Sequence, residues 1–175
     1  GRGGTQSNTS WVELDAQGRA CLFNLAATEL VVDVAGWAGP GHRLAAVTPA
    51  RLMETRLDGG SGTIDGIADR LGRRVPFTET RLQVAGRGGV RSPAGVVALN
   101  IAVTAPATAG FVTVYTCDTP RPPTSNLNFV AGDTVANTAM VRPAEDGTVC
   151  VYTLSSTEII VDVVGAQAAT WPTLT

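Results

Sequence analysis

Short runs of β-branched and other apolar residues, separated by clusters of Gly, Pro, Asp and Asn, recur along most of the chain. Runs of this length bounded by turn residues predict β-strands. In the longer, C-terminal part the predicted strands are Pro76–Val84, Gly95–Thr104, Gly110–Thr116, Ser125–Val130, Asn137–Arg142, Thr148–Thr153 and Glu158–Val164. No window combines a 3.6-residue period with helix-capping residues. The pattern predicts an all-β fold, a sandwich or barrel-like module of short antiparallel strands.

The N-terminal part shows the same pattern on a smaller scale. Strands are predicted over Thr9–Leu14, Arg19–Asn24 and Glu29–Ala35, with a turn at Asp15–Gly18 between the first two. Three strands cannot bury an apolar face by themselves, so we expect them to pack on the rest of the chain or on another chain.

This N-terminal part repeats the end of the chain. Thr28–Gly36 and Thr157–Gly165 are nearly the same sequence, and the match continues upstream without a gap at a spacing of 129 residues (137 − 8 = 129). The paired positions include Asn8 with Asn137, Gly18 with Gly147, Cys21 with Cys150, and Asp33 with Asp162. The repeat predicts two units: residues 1–46, the C-terminal part of a module plus a Gly/Pro-rich linker, and residues 47–175, one complete module. Because Gly1 is preceded by neither Met nor a signal peptide, we expect a processed or excised piece.

Composition narrows the function classes. A net charge of −2 without a basic run argues against nucleic acid and against an anionic membrane surface. No apolar run approaches the roughly 20 residues of a membrane-spanning helix. His42 is the single histidine, and no cofactor motif or activated nucleophile can be assembled, so we expect a non-enzymatic protein without a cofactor.

The cysteines indicate the compartment. Cys117 and Cys150 both lie beside predicted strands of the complete module, and we expect a disulfide between them that joins neighbouring strands, which implies an oxidising environment. Cys21 occupies the position of Cys150 in the repeat. The alternative is three buried thiols in a reduced protein. Zinc-type Cys/His spacing is missing.

Carboxylates lie in the middle of the two most apolar strands. Asp33 and Asp162 are each flanked by valines, and a buried carboxylate needs a partner. Arg51 and Arg56 are the candidates, through charge-assisted contacts that fix the strand register. A ligand-binding or catalytic role for these groups is the alternative.

Two further features have open interpretations. The Asp/Gly-rich loop Asp58–Gly66 is either a solvated turn or, with Asp69, a calcium loop, although its spacing does not match an EF-hand. Trp11, Trp37 and Trp171 either pack against the module or stack on sugar rings.

Several motifs together resemble a repeat of large secreted proteins of actinobacteria and other bacteria. They are Pro49–Arg56, Leu82–Val90, Ala98–Thr104, Ser125–Phe129 and Ile160–Gly165. In that family the opening motif usually reads Arg-Leu-Leu-Asp-Thr-Arg and the ending Asp-Val-x-Gly-Tyr-Phe, and the repeats stand in tandem or beside cell-wall hydrolases and proteases. This chain departs from it with Met53-Glu54 in the opening and with Ala166 or Trp37 where the Tyr-Phe ending is expected.

The resemblance and the repeat together predict an extracellular or cell-surface structural module. It would assemble with neighbouring copies or repeat modules by strand completion or by packing. The alternative is a carbohydrate-binding module that tethers a secreted enzyme to cell-wall or other polysaccharide.

Overall fold

The computed structural model describes residue 9 and residues 14–34, 44–58 and 61–168. All regular secondary structure in these ranges is β-strand, which confirms the all-β prediction. The strands are β1 (Ala45–Glu54), β2 (Thr78–Gln83), β3 (Ala94–Thr104), β4 (Gly110–Thr116), β5 (Leu127–Phe129), β6 (Thr134–Val141), β7 (Thr148–Thr153) and β8 (Glu158–Ala168).

The strands form two antiparallel four-stranded sheets that pack as a sandwich. The first sheet has the order β1-β8-β3-β6 and the second the order β2-β7-β4-β5. Strand β8 pairs with β1 on one side and β3 on the other, and β7 lies between β2 and β4. Among the described strands, the outer ones are therefore β1 and β6 in the first sheet, and β2 and β5 in the second.

Alternation along β8 decides which side chains fill the core. Ile159, Val161 and Val163 are at most 1% exposed, whereas Asp162 points to the other face of the sheet. The other strands contribute in the same way, and the core includes Leu52, Leu82, Val97, Leu99, Ile101, Val112, Leu127, Val149 and Val151. Each such side chain contributes about 1.5–3 kcal/mol by leaving water.

Strand pairing shifts some predicted boundaries. Strand β6 begins at Thr134, earlier than predicted, and β8 continues to Ala168. Both follow β3, whose whole length from Ala94 to Thr104 offers hydrogen-bond partners. Strand β1 begins at Ala45, just before the boundary expected between the two units. The partner strand, more than the local sequence, sets how far these strands extend.

Residues 14–34, which we call the arm, contain no strand. The strands predicted over Arg19–Asn24 and Glu29–Ala35 are therefore wrong in the described part of these segments, and Thr9 and Leu14, the described ends of the first predicted strand, are not in a strand either. A strand needs a hydrogen-bonded neighbour, and no ladder between described residues includes the arm. Its apolar side chains are exposed: Leu14, Leu22, Phe23, Leu25, Leu30, Val31, Val32 and Val34.

The turn predicted at Asp15–Gly18 does form, and the equivalent residues 144–147 form the same turn in the sandwich. The Gly18 N–H donates to the Asp15 carbonyl oxygen at 2.9 Å, and the Gly147 N–H donates to the Ala144 carbonyl oxygen at 2.8 Å. Both glycines have positive φ, 74° and 81°, a conformation that favours glycine. The two equivalent segments, which share the final glycine, thus make the same turn in two settings.

Candidate functional site

An ion pair joins β1 to β8 on the outer face of the first sheet. Arg51 lies opposite Asp162 in the ladder, and its Nε donates to Asp162 Oδ1 at 3.0 Å. The two side chains are 23% and 24% exposed. This is the pair expected from the sequence, in a half-buried position rather than a fully buried one.

Glu54 is the most buried charge of this cluster. Its carboxylate accepts hydrogen bonds from Arg51 Nη1 at 2.9 Å, and from Arg56 Nε at 3.0 Å and Nη2 at 2.7 Å. Burial opposes ionisation of Glu54, but the hydrogen bonds and charge of Arg56, with the charge of Arg51, outweigh it and hold the pKa of this carboxyl below its usual range. Arg56 thus pairs with Glu54 and not with Asp162.

Thr55 completes the connection between the two strands. Its Oγ1 donates to Glu158 Oε2 at 2.6 Å and accepts the Ile159 N–H at 2.8 Å. The opening motif Arg51–Arg56 therefore fixes where the pairing of β1 with β8 ends, close to the start of β8. The carboxylates of Glu54, Glu158 and Asp162 accept from arginine or hydroxyl donors, an arrangement that suits a structural role.

Asp33 does not repeat the ion pair of Asp162. It is exposed, and the expectation that it would be a buried ion-pair partner is wrong. The described arm has no β1-like neighbour that would bring an arginine opposite it, so the equivalent sequence position has a different environment.

A buried arginine outside this cluster was not anticipated from the sequence. Arg87, in the turn Gly86–Gly89, is 6% exposed and forms a two-pronged ion pair with Asp65 at 2.7 Å for each contact. The same guanidinium donates to the carbonyl oxygens of Gln83, Leu52 and Ile67. The glycines around Arg87 were the sequence signal that this turn packs closely against the sandwich. A Cβ on Gly88 would lie 2.8 Å from a Val163 methyl carbon.

This ion pair bears on the calcium interpretation of the Asp58–Gly66 loop. The hydrogen bonds from Arg87 hold the pKa of Asp65 at about 2 despite partial burial. Asp69 accepts from Thr63 N–H at 3.2 Å and from Arg70 at 2.5 Å. In the ranges that the structure describes, no group of three His, Cys, Asp or Glu side chains is placed to hold a metal ion. The carboxylates of Asp65 and Asp69 are thus engaged by donors of the protein itself.

Aromatic side chains gather on the outer face of the second sheet. The rings of Phe111 and Tyr152 are 6.0 Å apart, and the Arg121 guanidinium lies 4.2 Å from the centre of the Tyr152 ring. Nearby, the Tyr115 hydroxyl donates to Glu79, and burial together with this carboxylate raises the pKa of Tyr115 to about 12. The spacing of Phe111 and Tyr115 by an even number of residues on β4 was the sequence signal for this face.

The disulfide holds the loop that covers part of this face. Cys117 directly follows β4 and is bonded to Cys150 of the neighbouring strand β7, which confirms the predicted pairing. Cys21, the repeat equivalent of Cys150, is an exposed free thiol. Trp11, Trp37, Trp171 and His42 lie outside the described residues.

Comparisons with known proteins add no family. No protein-family model matches the chain, and no curated protein matches it. The resemblance to the secreted bacterial repeat therefore stays a prediction from motifs. In the described ranges, no helix is long and apolar enough to cross a membrane.

Proposed function

We propose that this chain is a non-enzymatic, extracellular structural module of a cell-surface protein or filament. It would assemble with neighbouring copies or repeat modules through the arm. Two features support this role. The polar clusters of the sandwich connect its own strands and loops, and the apolar side chains of the arm are exposed.

The exposed apolar side chains of the arm carry the proposal. Leu30, Val32 and Val34 are 58%, 64% and 85% exposed. Their repeat equivalents in β8 form the centre of the sandwich core. Contiguous apolar surface of this kind on a folded protein marks an interaction site. Burial against a neighbour would recover about 1.5–3 kcal/mol for each large side chain.

The disulfide supports the extracellular part of the proposal. Disulfides form and persist in oxidising compartments and are rare in reducing ones. The bond between Cys117 and Cys150 lies within the complete module, where it closes a stretch with a sequence separation of 33 residues.

The experiment is light scattering with electron microscopy of the full chain under non-reducing conditions. We expect ordered assemblies whose mass is a multiple of 18.0 kDa. The variant Val32→Asp should return the chain to a monomer. Val32 is the repeat equivalent of the core residue Val161, so the substitution would bury a charge in the expected contact with a neighbour.

Leu25→Asp is the matched control. Leu25 is 93% exposed and corresponds to Leu154, which lies between β7 and β8 and outside the strands. It removes as much exposed apolar surface without altering a strand position, so assembly should persist. A wild-type chain that stays monomeric over a wide concentration range would overturn the proposed function.

Carbohydrate binding is a second candidate, favoured by the aromatic cluster on the second sheet. Tyr152 and Phe111 are half-buried rings beside the exposed Arg121, and aromatic rings with polar neighbours stack on sugars. The repeat also places an aromatic residue, Phe23, at the position of Tyr152. Such a module would tether a secreted enzyme to cell-wall or other polysaccharide.

Retention on insoluble peptidoglycan and on a neutral polysaccharide tests this candidate. Tyr152→Ala should reduce retention without unfolding the protein, and Trp171→Ala tests the tryptophans in the same way. Phe77→Ala is the control, since Phe77 is a 72% exposed aromatic residue outside the cluster. Equal retention of all variants would argue against stacking on these rings.

A further inference from the structure

The disulfide of the second sheet lies beside a carboxylate. Glu79 on β2 is a diagonal neighbour of Cys150 on β7, since the residue that pairs with Cys150 in this ladder is Arg81. Glu79 Oε1 lies 3.2 Å from Cys150 Sγ. Oε2 of the same carboxylate accepts a hydrogen bond from the Tyr115 hydroxyl. The charge of Glu79 is therefore held next to one of the two sulfur atoms of the disulfide.

The two cysteines of the disulfide differ in their access to solvent. Cys150 is 1% exposed, whereas Cys117 directly follows β4 and is half-buried. Reduction by a thiol begins when a thiolate attacks one sulfur atom and expels the other as a thiolate, at a rate that depends on access to the attacked sulfur. Access therefore favours attack at Cys117, with Cys150 as the leaving group.

The leaving sulfur atom is the one beside Glu79. As the bond between the sulfur atoms breaks, its electron pair goes to Cys150 Sγ, and negative charge develops 3.2 Å from Glu79 Oε1. Like charges this close repel each other even in water. A leaving thiolate that its surroundings destabilise departs more slowly. The carboxylate of Glu79 therefore opposes the step on which reduction depends.

We propose that Glu79 protects the Cys117–Cys150 disulfide from reduction and exchange by thiols. This inference goes beyond the proposed function and does not depend on assembly of the chain. Two observations carry it together: the distance from Glu79 to Cys150, and the burial of Cys150 relative to Cys117. The first places the charge at the leaving sulfur, and the second decides which sulfur leaves.

The chain itself carries a thiol against which this protection acts. Cys21 is exposed and free. The Cys21 thiolate of one copy, attacking Cys117 of another, would form a Cys21–Cys117 bond between the copies and break the bond to Cys150. The released Cys150 thiolate takes up a proton from water, so the exchange needs neither an oxidant nor a reductant. Protection by Glu79 keeps the disulfide within its own module.

The test measures how fast the disulfide is reduced in the full chain. Every variant carries Cys21→Ser, so that Cys117 and Cys150 are the only cysteines. Excess dithiothreitol at a fixed, mildly alkaline pH supplies the attacking thiolate, and the thiols that appear are alkylated and measured by mass spectrometry. We expect Glu79→Gln to speed reduction by about three- to tenfold, because it removes the charge beside the leaving sulfur. Glu79 is exposed on β2, so glutamine fits there without repacking.

Two control variants separate the charge of Glu79 from other effects. Glu145→Gln removes the same charge from an exposed residue whose N–H donates to Asp118, next to Cys117 in the sequence, and it should leave the rate unchanged. Tyr115→Phe removes the hydroxyl that donates to Glu79 but keeps the carboxylate, so it should speed reduction less than Glu79→Gln does. The inference is overturned if either control matches Glu79→Gln, or if Glu79→Gln is reduced no faster than its parent.

Exchange between copies gives an independent readout in chains that keep Cys21. The chains are incubated at high concentration in oxygen-free buffer, so that two Cys21 thiols cannot be oxidised to a bond. Denaturing electrophoresis without reductant should show covalent dimers sooner for Glu79→Gln than for the wild type, and peptide mapping should place the new bond between Cys21 and Cys117. Dimers that form equally fast in both proteins would contradict protection by Glu79.

Discussion

Residues 15–34 and 144–163 are equivalent in the repeat and, beyond their first turn, have different structures. In the second copy, Ile159 and Val161 are 1% and 0% exposed at the centre of the sandwich. In the first copy, the equivalent Leu30 and Val32 are 58% and 64% exposed in a segment without strands. The turn at the start of each copy is nevertheless the same. The comparison shows that these residues encode a turn locally, while their strands form only where neighbouring strands are present.

The largest expected difference comes from one substitution made at equivalent positions. Val161→Asp puts a carboxylate into the fully buried core of β8, and we expect a loss of more than about 4 kcal/mol in the free energy of unfolding. Val32→Asp should leave the stability of the sandwich within about 0.5 kcal/mol of wild type, since Val32 is exposed. Urea unfolding followed by circular dichroism measures both.

The stabilities of these two variants decide whether the arm and the sandwich unfold independently. Both measurements belong at a protein concentration below that of assembly, so that only the single chain is compared. A Val32→Asp variant as unstable as Val161→Asp would mean that the arm is part of the same folded core, and the comparison would fail.

The cysteines give the next difference. Replacing Cys117 and Cys150 by serine removes a cross-link with a sequence separation of 33, and the loop-entropy relation predicts a loss of about 4 kcal/mol. Cys21→Ser changes the repeat equivalent of Cys150, but Cys21 is an exposed free thiol, so no change in stability is expected. Thermal unfolding of the two variants under non-reducing conditions tests this, and a destabilising Cys21→Ser would contradict it.

Substitutions of the equivalent glycines in the two turns should differ less in their effect on stability than the cysteine substitutions do. A Cβ on Gly147 would lie 2.6 Å from Ala85 Cβ, whereas a Cβ on Gly18 meets no atom within 4 Å. Both substitutions to alanine are strained by positive φ, but only Gly147→Ala also overpacks the sandwich. We expect it to cost about 2–3 kcal/mol. Gly18→Ala should affect only hydrogen exchange within the arm turn, and global unfolding by urea distinguishes the two.

The sequence predicts the sandwich better than it predicts its contacts. Alternating apolar residues located seven of the eight strands of the sandwich, because burial of one face produces that pattern, whereas β1 (Ala45–Glu54) was not predicted as a strand. The register between β1 and β8 brought Arg51 to Asp162, as expected. The pairing of Arg87 with Asp65 joins residues 22 positions apart across a loop, and no periodicity encodes such a contact. The exposure of Asp33 depends on whether a neighbouring strand exists, which the sequence of the strand itself does not contain.

The smallest expected difference is in the pH dependence of stability. The hydrogen bonds from Arg87 lower the pKa of Asp65 from an ordinary value of 3.8 to about 2 in the folded protein. A carboxyl with a lowered folded pKa stabilises the fold above its unfolded pKa, and this stability is lost as the pH falls toward 2. Because Asp65 is exposed, solvent screening reduces the stabilisation by this ion pair to about 1 kcal/mol at neutral pH. Asp65→Asn should therefore lose about that amount at pH 7 and show a flatter profile between pH 4 and 2.

Asp15→Asn is the counterpart in the arm. Hydrogen bonds from the backbone and side chain of Arg19 also lower the pKa of Asp15, but this pair lies in the exposed turn of the arm. Since the arm does not share the core of the sandwich, the urea midpoint of this variant should follow that of the wild type from pH 7 to pH 2. If Asp15→Asn flattened the profile as Asp65→Asn does, protonation of the arm would be coupled to unfolding of the sandwich. The two copies would then be parts of one cooperative unit despite the exposed surface between them.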